Sequence, residues 1–218
     1  MIQDIDFSAL RNAMVTHQLQ GRGVCSPLVI EAMRRVRREA FVPDSERARA
    51  YEDGPLAIGS GQTISQPYIV ALMAEALDLR GGERVLDIGT GSGYGAAVLA
   101  CMASRVYSME RIPELAEQAA RVLADQGFDN VTVHCGDGTL GWPEQAPFDG
   151  IVVAAAAPAV PAALQQQLTV GGHLVIPIGS AQGVQSLQRI TRVSSEAFET
   201  QDLGGVRFVP LRGEQGWT

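Results

Sequence analysis

Apolar positions along the chain change their period several times, and each change marks a different kind of segment. Phe7, Leu10 and Met14, with His17 or Gln18 next in line, recur at the spacing of one helix face until Gly21 and Gly23 break the pattern. Ser26-Pro27 then reads as a helix start. A serine oxygen can take up free amide N–H groups, and proline in a first turn loses no hydrogen bond. Val29, Met33 and Val36 supply the apolar stripe of that helix, which Phe41-Val42-Pro43 closes. The stretch GPLAIGSG, residues 54–61, holds too much glycine for either regular structure and is expected to be a loop.

From Gln66 onward the pattern becomes repetitive. A helix is expected over residues 67–77, followed by a turn at Gly81-Gly82. Short apolar runs then alternate with amphipathic ones: strands at 84–88, 105–109, 131–134, 150–153 and 173–178, helices at 94–102, 113–125 and 161–168. Such alternation predicts an α/β fold, a mostly parallel sheet with helices on both faces. Near the C-terminus, residues 186–193 and 197–203 alternate around a Ser-Ser-Glu turn, which predicts an antiparallel hairpin at one sheet edge, and 206–211 form a further extended segment. With no internal repeat and no low-complexity linker, a single domain over 1–218 is expected. Residues 1–65 form its N-terminal helices and covering loop, 66–180 its ligand-binding core, and 181–218 its C-terminal hairpin and groove segment.

Composition narrows the function. Apolar residues make up 46% and charged residues 19%, as in ordinary globular domains, and a net charge of −7 disfavours non-specific attraction to nucleic acid or anionic membrane. The basic cluster Arg34, Arg35, Arg37 and Arg38 is therefore expected to be a solvated helix face. All 17 basic residues are arginine, which excludes a phosphate-loop lysine, a Schiff-base lysine and a lysine general base. Cys25, Cys101 and Cys135 lack metal or disulfide spacing and are expected to be small buried apolar residues. His17, His134 and His173 lie far apart, so no metal is expected. The N-terminal MIQDIDF has no basic-then-apolar leader pattern, and no apolar run reaches the roughly 20 residues of a membrane helix. A cytoplasmic monomer is the expectation.

The chemistry concentrates in VLDIGTGSGYG, residues 85–95. A strand ending in Asp87 and Ile88 runs into Gly89, Gly91 and Gly93 before a helix opens, and glycines let a ligand approach the main chain closely. Glu110, at the end of the next strand, is placed to accept from ribose hydroxyls. Tyr94 stands where a dinucleotide site would carry its third glycine, and Asp87 would repel a pyrophosphate but suit a cationic amino-acid moiety. These features favour S-adenosylmethionine over a dinucleotide. Asp137-Gly138, after a third strand, reads either as an adenine acceptor or as a simple turn.

Six blocks make the reading specific: GQTISQPYIVALM (61–73), VLDIGTGSGYG, MERIPELAE (109–117), CGDGTLGW (135–142), APFDGIVVAAAAPAVPAAL (146–164) and VRFVPL (206–211). In their order they resemble the protein-L-isoaspartate O-methyltransferase family from about residue 40 onward. The resemblance implies a Rossmann-like methyltransferase fold and transfer of a methyl group from S-adenosyl-L-methionine to the free α-carboxylate of L-isoaspartyl residues in damaged proteins and peptides. It implies Ser65 as the active-site serine and Gln62, Thr63 and Ile64 over the cofactor. Asp87, Ile88, Gly89 and Gly91 would hold the methionine part, Glu110 the ribose, and Asp137 and Gly138 the adenine. Ile58, Val209 and Leu211 match positions lining the peptide groove, while the sequence leaves open whether Gln215 and Trp217 contact the cofactor. Gly95 departs from the family, which usually carries a larger residue there; glycine in a first helical turn costs up to ~1 kcal/mol.

A carboxylate acceptor is ionised at neutral pH, with an ordinary pKa of about 3.5–4, and needs no general base. The implied work is positioning, with Ser65 orienting the acceptor unless it merely caps the following helix. Two other readings stay open at this level: methylation of a specific aspartate in a dedicated peptide partner, and a non-catalytic ligand-binding module. A serine hydrolase is disfavoured because no GxSxG elbow is present.

Overall fold

The computed structural model describes residues 5–218; the first four residues of the expected leaderless N-terminus lie outside them. A seven-stranded sheet forms the centre. Its strands are β3 (Arg84–Ile88), β4 (Arg105–Glu110), β5 (Val131–Cys135), β6 (Phe148–Val153), β7 (Leu168–Ile178), β8 (Gln185–Arg192) and β9 (Phe198–Val206), in the spatial order β5-β4-β3-β6-β7-β8-β9. The first five pair in parallel, whereas β7–β8 and β8–β9 are antiparallel. The helical connections are α4 (Tyr94–Ala100), α5 (Pro113–Asp125) and α6 (Ala162–Gln166).

Strand side chains alternate between two cores. Val85, Val106, Val152 and Val175 pack with α4, α5 and the N-terminal helices, while Leu86, Ile151, Leu174 and Ile176 pack with Leu164 of α6 and Leu211 of the tail. Both faces are thus covered, as central parallel strands require. The chain leaves β3 towards β4 on one side and reaches β6 on the other, so the carboxyl end of β3 is a topological switch point.

The N-terminal third is helical with irregularities. Helix α1 (Phe7–Ala13) continues into a π-helical stretch, Met14–Leu19, and α2 (Pro27–Arg35) and α3 (Pro67–Ala76) follow. Ser26 does not cap α2 through its side chain. Instead the Glu75 carboxylate of α3 accepts the amide N–H groups of Cys25 and Ser26 at 2.7 and 2.6 Å, a charge-assisted pair that ties the two helices together.

The glycine-rich stretch is not a loop. Leu56–Gly59 (β1) pairs with Gln62–Ile64 (β2) as a small hairpin. Its glycines sit at the turn, where Gly59, Ser60 and Gly61 take φ values of 92°, 49° and 68°, leaving Leu56 and Ile58 to bury alternate side chains. Two further expectations, the solvated arginine cluster and the buried cysteines, fail on burial. Arg38 is fully buried rather than solvated, because the chain leaves α2 at Val36 and turns it inward. Cys25 and Cys135 are exposed, one in the loop before α2 and the other at the end of edge strand β5, and Cys101 is half-buried. Among the described residues, no helix is long and apolar enough to cross a membrane.

Candidate active site

A cavity of about 370 Å³ opens at the carboxyl ends of β3, β4 and β6, within the size range of small-molecule sites. The bend after β3 forms its floor. Gly89, Gly91 and Gly93 all take positive φ, at 88°, 53° and 89°, a conformation L side chains disfavour. Glu110, at the end of β4, holds this bend in shape: its carboxylate accepts the amide N–H groups of Gly91 at 2.8 Å, Arg111 at 2.8 Å and Ile112 at 3.0 Å. Gly138 closes another wall, where a Cβ would lie 2.5 Å from the Ile88 side chain, so only glycine lets the loop after β5 approach β3.

Asp87 and Ser108 are register partners on the parallel strands β3 and β4, which puts both side chains on one face. The Ser108 hydroxyl donates to the Asp87 carboxylate at 2.6 Å and accepts in turn from Thr90 at 2.6 Å. No basic side chain pairs with Asp87 among the described residues. Burial therefore pushes its pKa up from 3.8 to about 6; the Ser108 hydrogen bond opposes this shift and the nearby Glu110 charge adds to it.

Hairpin β1–β2 and the segment after it form the opposite wall. Gln62, Thr63, Ile64 and Ser65 line the cavity with Asp87, Ile88, Gly89, Gly91, Glu110, Gly138, Val209 and Leu211. Of the fourteen residues assigned a site role from the sequence, twelve are thus brought to one cavity and two, Ile58 and Asp137, are not. Ile58 lies behind the glycine bend, its Cδ1 3.3 Å from where a Cβ on Gly91 would sit. Asp137 is turned towards the tail. Its carboxylate accepts the Thr139 amide and hydroxyl at 2.9 and 2.7 Å and the Glu214 amide at 2.8 Å. Burial raises its pKa, but these hydrogen bonds outweigh that and hold it below the ordinary value.

The Ser65 hydroxyl does not cap α3, which starts at Pro67 behind Gln66 with no side-chain cap. It faces the cavity without a hydrogen-bond partner among the described residues. Gly95 also lines the cavity; a Cβ there would meet only Asp87 Oδ1, at 3.9 Å, so this position leaves room beside the carboxylate. In the tail, Gln215 accepts from the Ala163 amide and the Trp217 indole donates to Ala156, and neither lines the cavity. Trp142 packs against His134 and Tyr107, as a packing residue should.

The donor set fits S-adenosylmethionine. Asp87 supplies an uncompensated anion for a cationic amino-acid group, Glu110 a buried carboxylate at the end of β4, and the glycine bend and Gly138 an approach without side chains. The family model described as protein-L-isoaspartate(D-aspartate) O-methyltransferase matches residues 10–216. The chain belongs to that family. Among curated protein-L-isoaspartate O-methyltransferases, one from Marinobacter nauticus is 65% identical over 97% of both chains. One from Rhodopseudomonas palustris is 56% identical over 97% of this chain and 86% of its own. A solved protein-L-isoaspartate O-methyltransferase superposes with a TM-score of 0.84 at 32% identity, covering 94% of this chain and 67% of its own. A second, from Plasmodium falciparum in complex with S-adenosyl-L-homocysteine, gives 0.79 at 26% identity, covering 93% of this chain and 98% of its own.

The protein-L-isoaspartate O-methyltransferase site also contains residues that sequence reasoning missed. Ser108, which donates to Asp87 and accepts from Thr90 of the glycine motif, carries no motif signal of its own, since only the strand register brings it beside Asp87. Arg111 and Arg212 add two cations to the cavity rim. Arg212 directly follows the VRFVPL block and could have been found there.

Proposed function

We propose that this chain transfers a methyl group from S-adenosyl-L-methionine to the free α-carboxylate of L-isoaspartyl residues in damaged proteins and peptides. The observation that carries the reading is one cavity joining an unpaired buried anion, Asp87, to the unengaged hydroxyl of Ser65. When bound, S-adenosyl-L-methionine supplies an electrophilic methyl group on a sulfonium. The chain's own residues supply placement. Asp87 neutralises the cationic amino-acid end, Glu110 keeps the glycine bend in shape and accepts from the ribose, and the Ser65 hydroxyl donates to the acceptor carboxylate and orients it. Gln62, Thr63 and Ile64 cover the donor and exclude water, Gly138 borders the adenine, and Asp137 braces that border from behind. Val209 and Leu211 wall the peptide groove, while Ile58 supports the bend.

The acceptor arrives ionised, so no residue has to move a proton. The neighbouring backbone nitrogen of the peptide itself attacks the ester carbonyl, breaking its C–O bond and releasing methanol with the amide proton, to give a succinimide that water opens. Isoaspartyl-bearing polypeptides are accordingly the partners, read largely through their backbone by the extended segment at Val209–Leu211. The two exposed thiols fit a reducing, cytoplasmic setting. A matched peptide pair tests the proposal. Methyl incorporation into the isoaspartyl form and none into the aspartyl form is expected, and equal labelling of both would refute it.

A further inference from the structure

Arg38 is a buried cation outside the ligand cavity. It is 0% exposed, and no carboxylate pairs with it among the described residues. Its Nε donates to the Ala50 carbonyl at 2.7 Å and its Nη2 to the Ser65 carbonyl at 2.8 Å, while Nη1 is buried without a partner. The guanidinium carbon lies 4.8 Å from the centre of the Tyr94 ring, which itself lines the active-site cavity. Burial accordingly lowers the pKa of Arg38, opposed by the neighbouring tyrosines. An unpaired buried charge costs several kcal/mol even after relaxation. An apolar side chain would fill the same space without that cost, so packing does not account for it.

The rigid fork of arginine joins two chain segments that are distant in sequence, and one of the carbonyls it grips belongs to Ser65. We infer that Arg38 is a positioning residue for methyl transfer: by holding the Ser65 backbone against Ala50 and Tyr94, it sets where the Ser65 hydroxyl stands relative to the acceptor carboxylate. This rests on the role proposed above for Ser65. Among the described residues, no other buried side chain donates to a backbone carbonyl of segment 61–65. Hairpin β1–β2 has only a short backbone ladder, and its own turn puts the non-glycine Ser60 at a positive φ of 49°. Lysine in place of arginine keeps a cation but cannot reach both carbonyls at fixed angles.

A double-mutant cycle separates the possibilities. Ser65→Ala should lower kcat by about tenfold to a hundredfold, the worth of a hydrogen bond to a charged group. Arg38→Lys should lower kcat by up to about a hundredfold with the dissociation constant of S-adenosyl-L-homocysteine nearly unchanged. The double variant should be no slower than Ser65→Ala alone. Multiplied losses in the double variant would overturn the inference while leaving the Ser65 role intact, and an unaffected Ser65→Ala would overturn that role first. Should Arg38→Lys fail to fold, NMR on the unsubstituted protein decides. With S-adenosyl-L-homocysteine bound, the Arg38 Nε–H resonance should shift on adding an isoaspartyl peptide and stay put with its aspartyl isomer. An unmoved resonance in both cases would also overturn it.

Discussion

On the function proposed above, Asp87 is the residue whose surroundings matter most, because it is a buried carboxylate with no basic partner among the described residues. Its folded pKa of about 6 exceeds the ordinary 3.8, so the folded protein holds this proton more tightly than the unfolded chain. The sign follows. Between about pH 4 and 6 stability falls as pH rises, and above 6 the ionised group costs on the order of 3 kcal/mol. A cationic ligand needs the ionised form, so its affinity should rise with pH up to about 6 and then level off. Calorimetric titration with S-adenosyl-L-homocysteine should show roughly fivefold weaker binding at pH 5 than at pH 6, with a proton released on binding. Asp87→Asn should abolish that pH dependence and raise the melting temperature of the ligand-free protein while losing affinity. A lower ligand-free melting temperature in that variant would contradict the burial argument.

Among the elements, the bend between β3 and α4 sets the cavity floor, and it tolerates little change. Gly93 has φ 89°, and a Cβ there would press within 3.3 Å of Leu123 and 3.4 Å of Ala119 on α5. Gly93→Ala should therefore cost about 1–2 kcal/mol from backbone strain, plus repacking of α5, read as a lower urea midpoint. The bend was legible in the sequence because glycine spacing after an apolar run has few other uses, and the alternating order of β3 to β7 was legible for the same reason of periodicity. Hairpin β1–β2 was hidden by its own turn: Gly59 and Gly61 read as loop glycines, yet they occupy the two or three positions where a hairpin reverses. Arg38 was hidden because an arginine run reads as a solvated face, and nothing local says that Val36 ends the helix and turns the next residues inward. Contacts between Asp87 and Ser108, or Asp137 and Glu214, need strand register or a long-range fold and have no signature in either segment.

At the scale of the whole molecule, the chain closes on itself around the cavity. The N-terminal third reaches it through hairpin β1–β2, and the last residues return beneath it, where Asp137 and Thr139 take the amide N–H groups of Glu214 and Gln215. A Cβ on Gly213 would fall 2.0 Å from the Asp137 carboxylate, so this clamp admits only glycine at that point. Gly213→Ala should release the tail, displace Arg212 and Leu211 from the cavity wall, and raise the KM for isoaspartyl peptide severalfold. Unchanged kinetics, with the tail still protected from proteolysis, would show that the clamp yields without harm.

The carboxylate stranded at the end of β3 ties this protein's persistence to its surroundings. Whatever brings a cation to it removes a strain that the vacant fold must bear, so a ligand-saturated molecule outlasts a starved one against heat and degradation. Resistance to heat and to protease in the purified protein would then track the concentration of methyl donor around it.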